Sequence, residues 1–244
     1  MKLLPQLRNF TRSKSLIAVV LATVAWGQDL MDNTLETGGN LFTSVPLSVI
    51  AVGTGGSYVA YRVEDREGSS SFLPERPFDT VDKVDNFIFG EALPVSALSL
   101  WIAGRLSDSN QIEATGEEMC RGLFYTYGIV QTLKLTTGRT RPDGSNQRSF
   151  PSAHVAGASC TAAILWDRYG AEVGIPLSAL ALYTCFSRVN LEKHFSSDVI
   201  MGAAIGAACG IASSMVVSND EGKNISFSFS LSINTQGRIT PGIW

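Results

Sequence analysis

The sequence predicts an all-α protein, a helical bundle of about six core helices followed by a small C-terminal β-hairpin. Three observations carry this prediction. Between Val45 and Val217, apolar stretches of helical length alternate with short polar segments rich in Gly, Pro and Asp. Only 17% of the 244 residues are charged while 45% are hydrophobic, so these stretches can fill a sizeable core. At the C-terminus the period changes to two, with Ile225, Phe227, Phe229, Leu231 and Ile233 alternating with Ser226, Ser228, Ser230 and Ser232. No internal repeat or low-complexity linker divides the chain. The expected division is a signal peptide over 1–27, one helical domain over 28–217 and a hairpin appendix over 218–244.

Taken in order, Lys2, Arg8, Arg12 and Lys14 form a positive segment without an acid, and Leu16 to Ala25 is an apolar run of signal-peptide length. Cleavage is expected before Gln28, which places the protein outside the inner membrane, in the periplasm or cell envelope; a retained anchor helix is the alternative reading. Removal of these four cations from 19 basic residues leaves 15 against 22 acidic ones. That acidic balance excludes non-specific binding to nucleic acid and gives the remaining cations local roles.

Residues 28–43 read as a polar surface lead-in. Val45 to Tyr61 reads as a helix in which Gly53, Gly55 and Gly56 permit close packing. Glu64 to Ser71, followed by Pro74 and Pro77, reads as a loop whose charge run is a solvated face. A second helix is expected over Val84–Arg105, bent at Pro94. A third, about Glu117 to Leu133, delivers Lys134 at its end. Residues 135–151 are a turn-rich polar connection. Ser152 is placed to cap a helix running from Ala153 to Trp166. Val173 to Phe186 is a further helix, and Ser196 or Ser197 starts the last one, ending near Val217. Its Gly202, Gly206 and Gly210 recur every four residues and form a face that admits a partner helix closely, in water or in lipid. Cys120, Cys160, Cys185 and Cys209 show no metal-ligand spacing and read as buried thiols.

The candidate chemistry lies between Lys134 and Asp198. Both histidines of the chain, His154 and His194, fall in this window. Lys134, Arg141 and Arg188 sit at the edges of apolar helices, where isolated charges are costly to bury; converging on one point, they call for an anion. Arginine forks suit phosphate oxygens, and the helix start after Ser152 adds amide donors. His194 and Asp198 are four residues apart, a spacing that sets a carboxylate against one imidazole nitrogen and makes the other a nucleophile. His154 is then placed to protonate a leaving group. Three ligands to a metal, from His154, His194 and Asp198, are the competing reading, opposed by the three nearby cations.

Three segments together resemble the signature of the type 2 phosphatidic acid phosphatase and vanadium haloperoxidase superfamily. They are Lys134 with Arg141-Pro142, Pro151-Ser152-Ala153-His154, and Ser187-Arg188 followed by His194 and Asp198. The resemblance covers about a quarter of the chain. It implies a helical bundle and a metal-independent, cofactor-free phosphatase that hydrolyses a phosphomonoester or pyrophosphate, with a phosphate-bearing small molecule or lipid as its partner and membrane contact in view. It further implies that Lys134, Arg141, Ser152 and Arg188 hold phosphate, that His194 attacks phosphorus, that Asp198 orients His194, and that His154 is the general acid. Ala153 stands where the family usually has glycine, so its amide donates beside an added methyl that narrows the pocket. The same cage fits a vanadate-dependent haloperoxidase, and an inactive envelope protein keeping the fold is the third alternative.

Overall fold

The structure is a computed structural model that describes residues 31–67, 92–220, 230–233 and 239–242. The expected signal peptide and the start of the expected second helix lie outside these residues. The chain divides after Glu36 into an N-terminal unit and a unit that begins at Thr37 and holds every element described below except the start of the first helix.

Seven helices account for most of the described residues. They are α1 (Met31–Asn40), α2 (Ser44–Glu67), α3 (Leu93–Leu106), α4 (Asn110–Thr137), α5 (Ala153–Tyr169), α6 (Ala171–Asn190) and α7 (Ser196–Asp220). The expectation of a mainly helical protein is met, with three local corrections. The polar lead-in contains α1. Pro94 lies in the first turn of α3, where the missing N–H costs nothing, so it starts the helix and does not bend it. The segment from Glu64 to Glu67 is the last turn of α2, not a loop.

The hairpin expected over 218–244 is not established. Ser230–Ile233 and Ile239–Gly242 pair antiparallel as four-residue strands, but the remainder of that segment lies outside the described residues.

Helix α7 is the axis of the bundle. It packs against α2 on one side and α5 on the other, and also meets α4 and α6. The α5 contact is made backbone to backbone. A Cβ on Gly202 would lie 2.6 Å from the Ser152 carbonyl oxygen, one on Gly210 would lie 2.6 Å from that of Cys160, and Gly206 is still tighter against Ala156. Only glycine fits these three positions. The core around this contact consists of Met119, Leu123, Val130, Ile164, Ile205 and Cys209 with small alanines between them. All four cysteines are free thiols.

Among the described residues, one helix segment, Ser196–Val216, is long and apolar enough to cross a membrane, and 67% of it is buried inside the bundle. Large apolar side chains including Val52, Val59, Phe124, Leu182 and Phe186 are exposed on the other helices.

Candidate active site

The site is assembled at one end of the bundle from the ends of four helices and two connections. Helix α4 delivers Lys134 in its last turn and stops at Gly138, whose φ of 55° is the left-handed conformation glycine adopts without strain. The 138–151 connection follows and carries Arg139, Arg141 and Ser149. Its backbone is pinned at Arg139 O by the Ser149 amide at 2.9 Å, and at Glu192 O by the Asp143 amide at 3.0 Å. Lys193 adds a 3.0 Å ion pair to Asp143. Helix α5 begins beside this connection with Ser152, Ala153 and His154, α6 ends with Arg188, and the turn into α7 presents His194 and Asp198.

The backbone ties these pieces into one another. The Ser152 amide donates to the Asp198 carbonyl at 3.0 Å, and the amides of Lys193 and His194 both donate to the Arg188 carbonyl. Lys134 is buried and donates through Nζ to the Arg148 carbonyl at 2.6 Å. Burial, with help from the neighbouring charge of Arg141, lowers its pKa to about 8. Arg188, His194 and Asp198 are almost completely buried. Ser152 is fully buried too, yet its hydroxyl does not cap α5 and meets no hydrogen-bond partner. The expected cap is therefore a correction: the side chain makes no cap hydrogen bond, and the backbone at this position is held by the Asp198 carbonyl.

Electrostatics link Lys134, Arg141, His154, Arg188, His194 and Asp198. Burial first, and then the charges of Arg188, His194, Arg141 and Lys134, push the pKa of His154 down to about 3. Burial likewise pushes His194 down to about 4 against the raising effect of Asp198, with Lys134 and Arg141 adding to the depression. Both imidazoles are neutral at pH 7. His194 Nδ1 lies 3.6 Å from Asp198 Oδ2, an electrostatic contact longer than a normal hydrogen bond.

The Asp198 carboxylate is held instead by groups that spacing alone did not single out. Arg139 donates to Oδ1 at 2.6 Å; the Phe195 amide, at 3.0 Å, and the Ser149 hydroxyl donate to Oδ2. Burial alone would raise the Asp198 carboxyl, but the neighbouring His194, these donors and the Arg139 charge hold it below the usual carboxylate range. Arg139 is sandwiched in turn: its guanidinium lies 3.9 Å from the Phe195 ring centre and pairs with Glu64 of α2 at 3.3 Å. The signal for Arg139 was present, since it sits two residues before Arg141 in the same cationic segment. No local signal marked Glu64 or Ser149. Among the described residues no group of three His, Cys, Asp or Glu side chains is arranged to hold a metal ion.

Residues 118–221 match the PAP2 superfamily profile, a range that contains every site residue above except Glu64. Over this region the chain is similar to the PAP2 superfamily. It is similar to the lipid A 1-phosphatase of Porphyromonas gingivalis, 30% identical over 158 residues that make up 63% of this chain and 35% of that protein. It is also similar to the decaprenylphosphoryl-5-phosphoribose phosphatase of Mycobacterium tuberculosis, 32% identical over 99 residues, or 36% of this chain and 54% of the relative. The chain thus spans about a third to about half the length of these PAP2-family relatives. Among solved structures, the first transmembrane PAP2 type phosphatidylglycerolphosphate phosphatase from Bacillus subtilis aligns with 81% of this chain and 98% of its own, at 20% identity and a TM-score of 0.49.

Proposed function

We propose that the chain is a metal-independent phosphatase that releases phosphate from a phosphorylated lipid through a phosphohistidine intermediate. The observation that carries the proposal is a buried, neutral His194 set against an anchored carboxylate in the field of Lys134 and Arg141, with Arg188 acting on the neighbouring His154. Cations gathered around two neutral imidazoles favour an anion among them, and the partnerless Ser152 hydroxyl is a further donor for its oxygens.

On this reading Lys134, Arg141, Ser152, Arg188 and the Ala153 amide hold the phosphate. A nitrogen of His194 attacks phosphorus, the bond to the ester oxygen breaks, and that oxygen takes a proton from His154. His154 then removes a proton from water, which attacks the phosphohistidine to release inorganic phosphate and restore His194. Burial and then the cation field hold His154 near a pKa of about 3, and the field's share of that depression is what a bound substrate can reverse. A phosphate dianion bound among those cations opposes their field and raises the imidazole towards protonation, so the substrate itself loads the acid.

The lipid assignment is supported by the names of both relatives, each a phosphatase of a lipid or lipid-linked phosphate, and by the exposed apolar residues on the outer helices. An envelope location follows from the basic and apolar N-terminal segment and suits such a substrate.

The test is phosphate release from a short-chain phosphatidate and from a soluble ester, by the wild type and by His194→Ala. Turnover of the phosphatidate by the wild type and a fall of at least about 1000-fold in the variant are expected, as for loss of a nucleophile. Trapping of a phosphoenzyme in the wild type alone completes the test. Substantial activity in His194→Ala would overturn the nucleophile assignment.

A further inference from the structure

Helix α2 lies outside the signature region, yet its last turn reaches the site. Glu64 accepts the Ser197 amide at 2.9 Å on Oε1 and the Ser197 hydroxyl at 2.7 Å on Oε2, fastening it to the first turn of α7. The same Oε2 accepts from Arg139 at 3.3 Å. Arg139 Nη1 in turn donates at 2.6 Å to both Ser197 Oγ and Asp198 Oδ1. The result is a line of alternating charge, Glu64, Arg139, Asp198, that ends 3.6 Å from His194. Every member of it is mostly buried: side-chain exposure is 10% for Glu64, 19% for Arg139 and nil for Asp198.

Simple fastening of α2 to α7 does not require this arrangement. Ser197 alone gives Glu64 two hydrogen bonds, and α2 already packs along α7. A cation placed directly on Asp198 works against the effect expected of that carboxylate, because it withdraws negative charge from the group that raises the basicity of His194. A second carboxylate behind the cation restores part of what the cation takes away. The strength of the His194–Asp198 couple is therefore set from α2.

We propose that Glu64 is a positioning residue for the phosphatase reaction, acting through Arg139 on Asp198 to set the basicity and orientation of His194. The inference rests on the phosphatase reading for its consequence in turnover, but not for the coupling itself. The remaining charged and titratable groups around His194 are Lys134 from α4, Arg141 from the 138–151 connection, the neutral His154 from α5 and, acting on His154, Arg188 from α6. They are common to every variant below, so differences between variants report the Glu64–Arg139 pair.

The experiment compares the full chain with Glu64→Gln, Arg139→Gln and the double variant. Two quantities are read: the acid limb of the pH profile of kcat/KM on a short-chain phosphatidate, and the pH titration of the histidine ring signals by NMR. With only two histidines in the sequence, the His194 signal is assigned by its loss in His194→Ala. Removing the Glu64 charge leaves Arg139 unopposed, so both the limb and the titration move to lower pH, by on the order of half a unit for a charge one residue removed from Asp198. Removing the Arg139 charge moves them to higher pH by about a unit. The double variant falls between the two, and Glu64→Asp returns towards the wild type.

Opposite shifts support the coupling. Shifts in the same direction in both single variants, the signature of a site that merely loosens and hydrates, would overturn it, as would an unchanged His194 titration in Glu64→Gln with only a lower Tm. If the wild type releases no phosphate, the phosphatase reading fails, and the NMR titration alone decides the coupling.

Discussion

The bundle buries two groups of charge, and they are built on opposite plans. Midway along the molecule, α4 and α5 face each other with Glu117, Glu118, Arg121 and Arg168. Each cation there has an acid assigned to it: Arg168 takes Glu118 through Nη2 at 2.5 Å and Nε at 3.2 Å, and Arg121 takes Glu117 one turn away on its own helix. At the site end, Arg139 is matched in the same manner, but Lys134, Arg141 and Arg188 add three cations and the two neighbouring bases are imidazoles without charge at pH 7. Acids interleaved one to one with cations fix a geometry and cancel most of the local field. Several cations around uncharged imidazoles give a net positive field, which on the phosphatase reading receives the phosphate.

The sharpest way to break this comparison is to remove one arginine from each group. Arg188→Ala is expected to reduce kcat/KM by about 100-fold or more, as for loss of one preorganised charged donor, with little loss of Tm. Arg168→Ala strands Glu118, which is 2% exposed and whose pKa burial already raises. It should cost about 3–5 kcal/mol of stability, with kcat of the folded fraction unchanged. Thermal unfolding combined with active-site titration separates the two outcomes. A large catalytic loss in Arg168→Ala at full folding would abolish the distinction.

The next largest effect belongs to the packing that holds the site. Gly206→Ala drives a methyl into the Ala156 carbonyl and is expected to cost about 1–3 kcal/mol, whereas Gly55→Ala on α2 meets nothing within 4 Å and should stabilise by up to about 1 kcal/mol through helix propensity. Chemical denaturation of both variants measures the contrast.

The smallest effect is the pH dependence of stability. His154 and His194 have folded pKa values depressed to about 3 and about 4 from 6.5, so the unfolded chain binds protons that the folded one refuses. Their contribution is complete above about pH 6.5 and is lost as pH falls towards 4. Glu118, with a raised pKa, has the opposite sign and is relieved on acidification. A fall in Tm of a few degrees between pH 7 and 5 is expected, reduced by millimolar inorganic phosphate, which binds the surplus cations and raises both imidazoles. Scanning calorimetry with and without phosphate measures it.

The site was legible where chemistry demands a residue type at a fixed spacing. Lys134, Arg141, Ser152, His154, Arg188, His194 and Asp198 were all named by position, and the structure gathers them. Glu64 was not legible, because a carboxylate in a charged stretch looks the same whether it faces water or an arginine 75 residues away. The same ambiguity hid the first two turns of α4, since the helix expected from about Glu117 begins at Asn110, in a stretch whose polar residues look like a connection. Pro94 was misread because a proline inside an apolar run looks like a kink until the start of the helix is known.

The glycine face of α7 has one further consequence. Because α7 rests on the carbonyls of α5, with no side chains between them, no rotamer change can widen the gap between Ser152 and Asp198. The floor of the site behaves as a single solid piece. On the phosphatase reading, adaptation to a bulkier or smaller headgroup then comes from the walls, above all from Ala153 and the 138–151 connection, while the spacing between Ser152 and the Asp198 beside His194 is inherited unchanged.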